Sequence, residues 1–119
     1  MERRIPVLNV EHTMTTYYLN EDYSYRQADL MEWADQFEAM DRRLKVDKLY
    51  GHKVSTVWLG YDHNHFDGPP LLFETMIFLD EFGGNDIYCD RYTTWEEALN
   101  GHAKAVHWLK SGIKDDNYT

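Results

Sequence analysis

The chain has 119 residues, enough for one domain and too few for two with separate cores. Apolar residues at 43% and aromatics at 15% supply material for a core and argue against intrinsic disorder. Twelve Lys and Arg stand against 21 Asp and Glu, a net charge of -9 that repels nucleic-acid backbones and anionic membranes, so neither direct polymer binding nor membrane attachment is expected. Cys89 is the only cysteine; it excludes an internal disulfide and a cysteine-based zinc site, and it fits a reducing cytosol. No apolar run approaches a membrane span, and the start Met1-Glu2-Arg3-Arg4-Ile5-Pro6 lacks the apolar stretch of a signal peptide, so the expected location is the cytoplasm.

Residues 1–13 read as an extension in which Ile5, Val7, Leu8 and Val10 favour a short strand or arm, with Pro6 denying it a ladder donor. A β-rich segment follows over 14–19. A helix is expected from an N-cap at Ser24 to about Arg43, with Leu30, Trp33, Ala34, Phe37 and Met40 as one apolar stripe. Asp29, Glu32, Asp35, Gln36 and Asp41 form its solvated side.

Residues 44–50 and 54–59 read as a hairpin turning at Gly51-His52, and 60–70 as a turn-rich loop long enough to suggest a task. The most apolar strand is 71–79, and Gly83-Gly84-Asn85 turns the chain into a last strand over 87–92. Thr94 with Glu97 three positions on is a capping box, opening a helix with an apolar face of Ala98, Leu99, Ala105, Val106 and Leu109 and a stop at Gly112. Residues 113–119 read as a flexible tail, leaving a single domain over 14–112.

This order predicts an α+β fold: a mainly antiparallel four- to five-stranded sheet with two helices packed on one face. In strand 71–79, one side carries Leu71, Phe73, Thr75, Ile77 and Leu79, and the other carries Leu72, Met76 and Phe78 around Glu74. Both sides are apolar, and two helices cannot cover both. A second subunit or the N-terminal arm is therefore expected over the remainder, a homodimer being the simplest solution.

The stretch Val54-Ser55-Thr56-Val57-Trp58-Leu59-Gly60-Tyr61-Asp62-His63, with Gly68-Pro69-Pro70-Leu71-Leu72-Phe73-Glu74-Thr75-Met76-Ile77-Phe78, resembles a family of small uncharacterised bacteriophage and prophage proteins. Asp90-Arg91-Tyr92-Thr93-Thr94-Trp95-Glu96-Glu97-Ala98 with Gly101-His102 resembles that family's closing strand and helix, and Tyr17-Tyr18-Leu19, Glu32-Trp33 and Asp41-Arg42 its beginning. The similarity covers roughly residues 14 to 108 and departs from the pattern before Met14 and at His63-Asn64-His65-Phe66-Asp67. It implies phage origin, a bacterial host cytoplasm and a general shape, and it transfers no catalytic residue.

The densest polar cluster is Asp62, His63, His65 and Asp67 in the 60–70 loop. Imidazoles beside carboxylates suit a divalent metal, with His63, His65 and Asp62 as alternative ligands, or a general base. The competing role is structural, the aspartates holding loop turns through backbone hydrogen bonds. Glu74, flanked by apolar residues, needs a partner; Arg91 on the neighbouring strand is the obvious one, and with Asp90 the pair could instead line a small polar pocket. Gly101 inside a helix implies close approach of another backbone or side chain, and His102 reads as a buried, hydrogen-bonded core histidine before it reads as a catalyst.

Asp62, His63, Glu74, Asp90, Arg91 and His102 are thus the candidate ligand-binding residues. No catalytic residue is assigned and no cofactor is expected, since phosphate-binding glycine loops, nucleophile elbows and His-Glu-x-x-His are absent from the sequence. The expected function is that of a small phage accessory protein that binds a host protein or a nucleotide-like signalling molecule, as in counter-defence. The alternatives are a metal-dependent hydrolase or nucleotide-processing enzyme built on the Asp62/His63/His65 loop, and a virion or assembly component.

Overall fold

The computed structural model describes residues 15–64, 67–80 and 84–112. A short hairpin comes first, β1 (Thr16–Leu19) with β2 (Tyr25–Ala28), followed by α1 (Leu30–Ala39). Four strands then form an antiparallel meander in sequence order: β3 (Arg43–Leu49), β4 (His52–Trp58), β5 (Phe73–Phe78) and β6 (Asp86–Tyr92). The chain closes with α2 (Trp95–Gly112). This is the α+β fold with an antiparallel sheet, with the hairpin as a separate two-stranded sheet. The expected N-terminal arm and C-terminal tail lie outside the described residues.

The expected helix start at Ser24 is corrected. Residues 25–28 are strand, because Asp22 Oδ1 accepts the Ser24 amide at 3.0 Å and Tyr23 adopts φ 69°, together reversing the chain so that Tyr25 pairs with Leu19. The real N-cap is Asp29, whose carboxylate accepts the Glu32 amide at 2.8 Å. A second correction concerns Gln36. Its amide turns inward and grips the edge of β1, accepting from Leu19 N at 2.9 Å and donating to Leu19 O at 2.8 Å, as a neighbouring strand would. Leu30, expected in the apolar stripe, is 63% exposed.

The β3–β4 turn sits one residue earlier than expected, at Tyr50 (φ 56°) and Gly51 (φ 76°), the two consecutive positive values of a tight two-residue hairpin. In α2 the expected capping box forms: Glu97 N donates to Thr94 Oγ1, and Thr94 N donates to Glu97 Oε1, each at 3.1 Å. Leu99, expected on the buried face, is exposed.

The period-2 alternation of the strands sorts the sheet into an inner and an outer face. Trp58, Phe73 and Tyr92 lie on the inner face beneath Leu19, Leu72 and Ala98, with Tyr17, Tyr25 and Met40 packed around them. Further along that face, Val54 and Ile77 pack against Ala105 and Leu109 of α2. The hairpin and α2 therefore share one side of the sheet. Register shifts between Arg43 and Lys45 and opposite Ile77–Phe78 add one residue each to β3 and β6, and both extra residues, Leu44 and Ile87, tuck toward the inner core.

Among the described residues no helix or strand packs on the outer face. Met76 and Phe78 are part-exposed there. Of the outward set expected on the most apolar strand, Met76 and Phe78 are where expected, but Leu72, which precedes β5, is buried in the inner cluster, and Leu79, expected on the inner side, is 47% exposed. Trp58 is shielded on the inner face by the chain's own elements. No helix among the described residues is long and apolar enough to cross a membrane.

Candidate functional site

A polar row crosses the apolar inner face. Thr56 and Thr75 sit directly opposite each other at the centre of β4 and β5, and their hydroxyls meet at 2.5 Å. His102 of α2 lies over them, Nδ1 at 2.7 Å from Thr56 Oγ1 and Nε2 at 2.7 Å from Asp47 Oδ2 on β3. Because a carboxylate only accepts, Nε2 carries the proton and Nδ1 accepts from Thr56, so that Thr75 in turn donates to Thr56. The hydroxyl of Tyr92 is buried near Thr75 and Tyr88, with no hydrogen bond of ordinary geometry among the described residues. Burial pushes the Tyr92 phenol up to about 12. Burial also lowers the pKa of His102, outweighing the opposing pull of Asp47.

His102 is therefore the hydrogen-bonded core histidine expected from sequence, 1% exposed. It sits over the middle of the strands. The resemblance of Asp47–His102–Thr56 to a nucleophile–base–carboxylate triad ends at access, since Thr56 is wholly buried and no substrate atom reaches its hydroxyl. Gly101 admits the row: a Cβ there would lie 2.1 Å from the Tyr92 hydroxyl, which is the close approach that a helical glycine implied.

The 60–70 loop is organised by Asp62. Its Oδ1 accepts the amides of Asn64 at 2.7 Å and Leu71 at 3.0 Å, closing the loop base onto the start of β5. His63 stacks on Tyr61, with ring centroids 4.4 Å apart, and its Nδ1 lies 3.0 Å from the Tyr61 carbonyl. Asp62 thus performs the loop-holding role weighed against metal ligation. His65 lies outside the described residues, and among the described residues no cluster of three or more His, Cys, Asp and Glu is placed to hold a metal.

Glu74 and Arg91 pair on the outer face, Nε to Oε2 at 2.9 Å, as the sequence suggested. Cys89 donates its thiol to the same Glu74 oxygen at 3.3 Å. Burial and that hydrogen bond push the thiol up to about 11, the opposite of what a reactive cysteine requires. Asp90 does not join the pair. It is opposite Thr75 in register and therefore faces α2. Of the six candidate residues, only Asp90 and Arg91 meet at one cavity.

That cavity is a cleft of about 410 Å³ between β6 and the first turns of α2, walled by Asp90, Tyr92, Glu97, Asn100 and Lys104 with Arg91 at its rim. Its volume falls in the range of small-molecule pockets. Sequence reasoning missed Asn100 and Lys104; Asn100 three residues after Glu97 and Lys104 four after Asn100, on one helix face, was the available signal. It also missed Asp47, Thr56 and Thr75, although the alternation Val54-Thr56-Trp58 and Phe73-Thr75-Ile77 placed both threonines on the inner face. The described fold and cleft define a small α+β protein with a small-molecule-sized opening on the helix-covered side; further clefts of about 270 Å³, beside Asp47 and His102, and about 440 Å³, between the hairpin and α1, contain none of the other candidate residues except His102. Compared with protein-family models, with characterised proteins and with solved structures, the chain matches none.

Proposed function

We propose that this is a phage accessory protein that acts by binding, and that its ligand is a small, nucleotide-like molecule held in the β6–α2 cleft. The supporting observation is the composition of that cleft: Lys104 offers a cationic donor, Asn100 a neutral amide, and Asp90 and Glu97 acceptors, around a space of about 410 Å³. Such a set recognises a compact molecule carrying both acceptors and donors, as a nucleoside with a phosphate does. Turnover is not part of this reading. The groups that could perform acid–base or nucleophilic work are committed elsewhere: Asp62 to loop amides, His102 at both ring nitrogens, Glu74 to Arg91, and the Cys89 thiol held protonated. Sequestering a host signalling nucleotide would serve counter-defence, the role the phage resemblance suggests.

Thermal unfolding of the full chain with a panel of nucleosides, mononucleotides and cyclic nucleotides tests this. A ligand at one hundred times its Kd stabilises by about 2.7 kcal/mol, a shift readily measured. One member should raise Tm, Lys104→Glu and Asn100→Ala should abolish the rise, and the ligand should be recovered chemically unchanged. A flat response across the panel, or conversion of the ligand, would refute the reading.

A further inference from the structure

The outer face of the four-stranded sheet has an ordered composition. The strand register sets out three rows across it: Arg43, Val57, Glu74 and Arg91; then Val46, Ser55, Met76 and Cys89; then Lys48, Lys53, Phe78 and Asp86. The middle row is small and apolar, and the flanking rows hold four cations against two carboxylates. In a chain of net charge -9, this is a face on which positive charge prevails. Val46 is 39% exposed, Met76 and Phe78 are part-exposed, and no described element covers them.

We propose that this face is the interface of a homodimer, two sheets stacked face to face about a two-fold axis that runs across the strands along the Val46–Ser55–Met76–Cys89 row. The charges argue for a second copy. An acidic chain can approach itself closely only through a surface that is not acidic. The two-fold lays the first row of one protomer over the third row of its partner and matches the middle row with itself. Arg91 then faces the partner's Asp86, and Glu74 lies diagonal to the partner's Lys53, two complementary contacts each made twice. The one like-charged match, Arg43 with the partner's Lys48, is eased by Asp41, which already binds the Arg43 guanidinium at 3.0 Å and 3.1 Å. An axis along the strands is worse, because it sets Arg91 against Arg43. Val46 and Met76, unfavourable in water, become the dry centre of a sandwich whose sheets lie ~10 Å apart.

The proposal is independent of the cleft, which lies on the helix-covered side. Sedimentation equilibrium of the full chain over a concentration series should report a dimer. The sole thiol offers a geometric check, since the axis passes beside Cys89 and brings it opposite its own copy. A short bis-maleimide at mildly alkaline pH should join two chains through Cys89. Asp86→Lys and Lys53→Glu, both at exposed or part-exposed positions outside the core clusters, should each weaken association by at least about tenfold, with unchanged circular dichroism. A single-chain mass at every concentration overturns the proposal, whether residues 1–13 or solvent occupies the face. A dimer untouched by either substitution and not joined through Cys89 also overturns it, because the interface is then elsewhere.

Discussion

Gly101→Ala sets two effects of opposite sign against each other in one methyl group. Within a helix, alanine is favoured over glycine by about 1 kcal/mol. The added Cβ, however, would lie 2.1, 2.2 and 2.4 Å from Oη, Cζ and Cε1 of Tyr92, more than 1 Å inside ordinary carbon contact. The obstacle is a rigid ring, 8% exposed and packed within the cluster that holds Phe73, Leu72 and Ala98, so it cannot swing aside as a flexible side chain would. Overpacking of this kind costs about 1–3 kcal/mol, and the depth of the overlap places it at the upper end. The net expectation is destabilisation by about 1–2 kcal/mol, a fall in Tm of about 4–8 °C for a domain of this size. Urea denaturation followed by tryptophan fluorescence measures it, with Asn100→Ala, an exposed neighbour on the same helix, as the propensity control that should stabilise slightly. In a Tyr92→Leu background the ring is gone, and Gly101→Ala should instead stabilise by up to about 1 kcal/mol. A Gly101→Ala protein as stable as the parent, or the same effect in both backgrounds, would refute the packing of Tyr92 against the helix backbone.

Thr56→Val keeps the shape but removes the donor to His102 Nδ1 and the acceptor for Thr75; leaving those buried groups unpaired should cost about 1–3 kcal/mol by urea denaturation. Because burial holds the His102 pKa below its ordinary 6.5, the unfolded chain takes up that proton more readily than the folded one. Its contribution to stability is therefore fully present above about pH 6.5 and is lost as pH falls through the lower folded value, a slope that His102→Gln should flatten in a series of urea midpoints. With its pKa raised from 9.0 to about 11, the Cys89 thiol should react with a disulfide reagent at neutral pH ten- to a hundredfold more slowly than a free cysteine, and Glu74→Gln should recover part of the rate.

How much of the candidate site was legible in the sequence depended on how local its causes were. The Glu74–Arg91 pair followed from a carboxylate stranded in an apolar strand with a single cation available at the matching place on the next one. Asp90, its chain neighbour, fell on the opposite face because adjacent strand residues must, so the pocket imagined from all three could not form. The loop-holding role of Asp62 was one of two readings of the same residues. Only the distances to the Asn64 and Leu71 amides separate it from metal ligation.

Alternation and capping chemistry, which act over two to four residues, determined from sequence alone the four-strand meander, the Thr94–Glu97 helix start, the burial of His102 and the outward placement of Met76 and Phe78 on β5. Tertiary structure decided the rest, because the competing energies there arise between segments far apart in the chain. Residues 25–28 have a helical pattern as good as that of their successors, yet pairing with β1 and the inward grip of Gln36 on Leu19 outweigh it. The polar row from Asp47 to Tyr92 belongs to five different elements and is set by a register and a helix placement that no local rule contains.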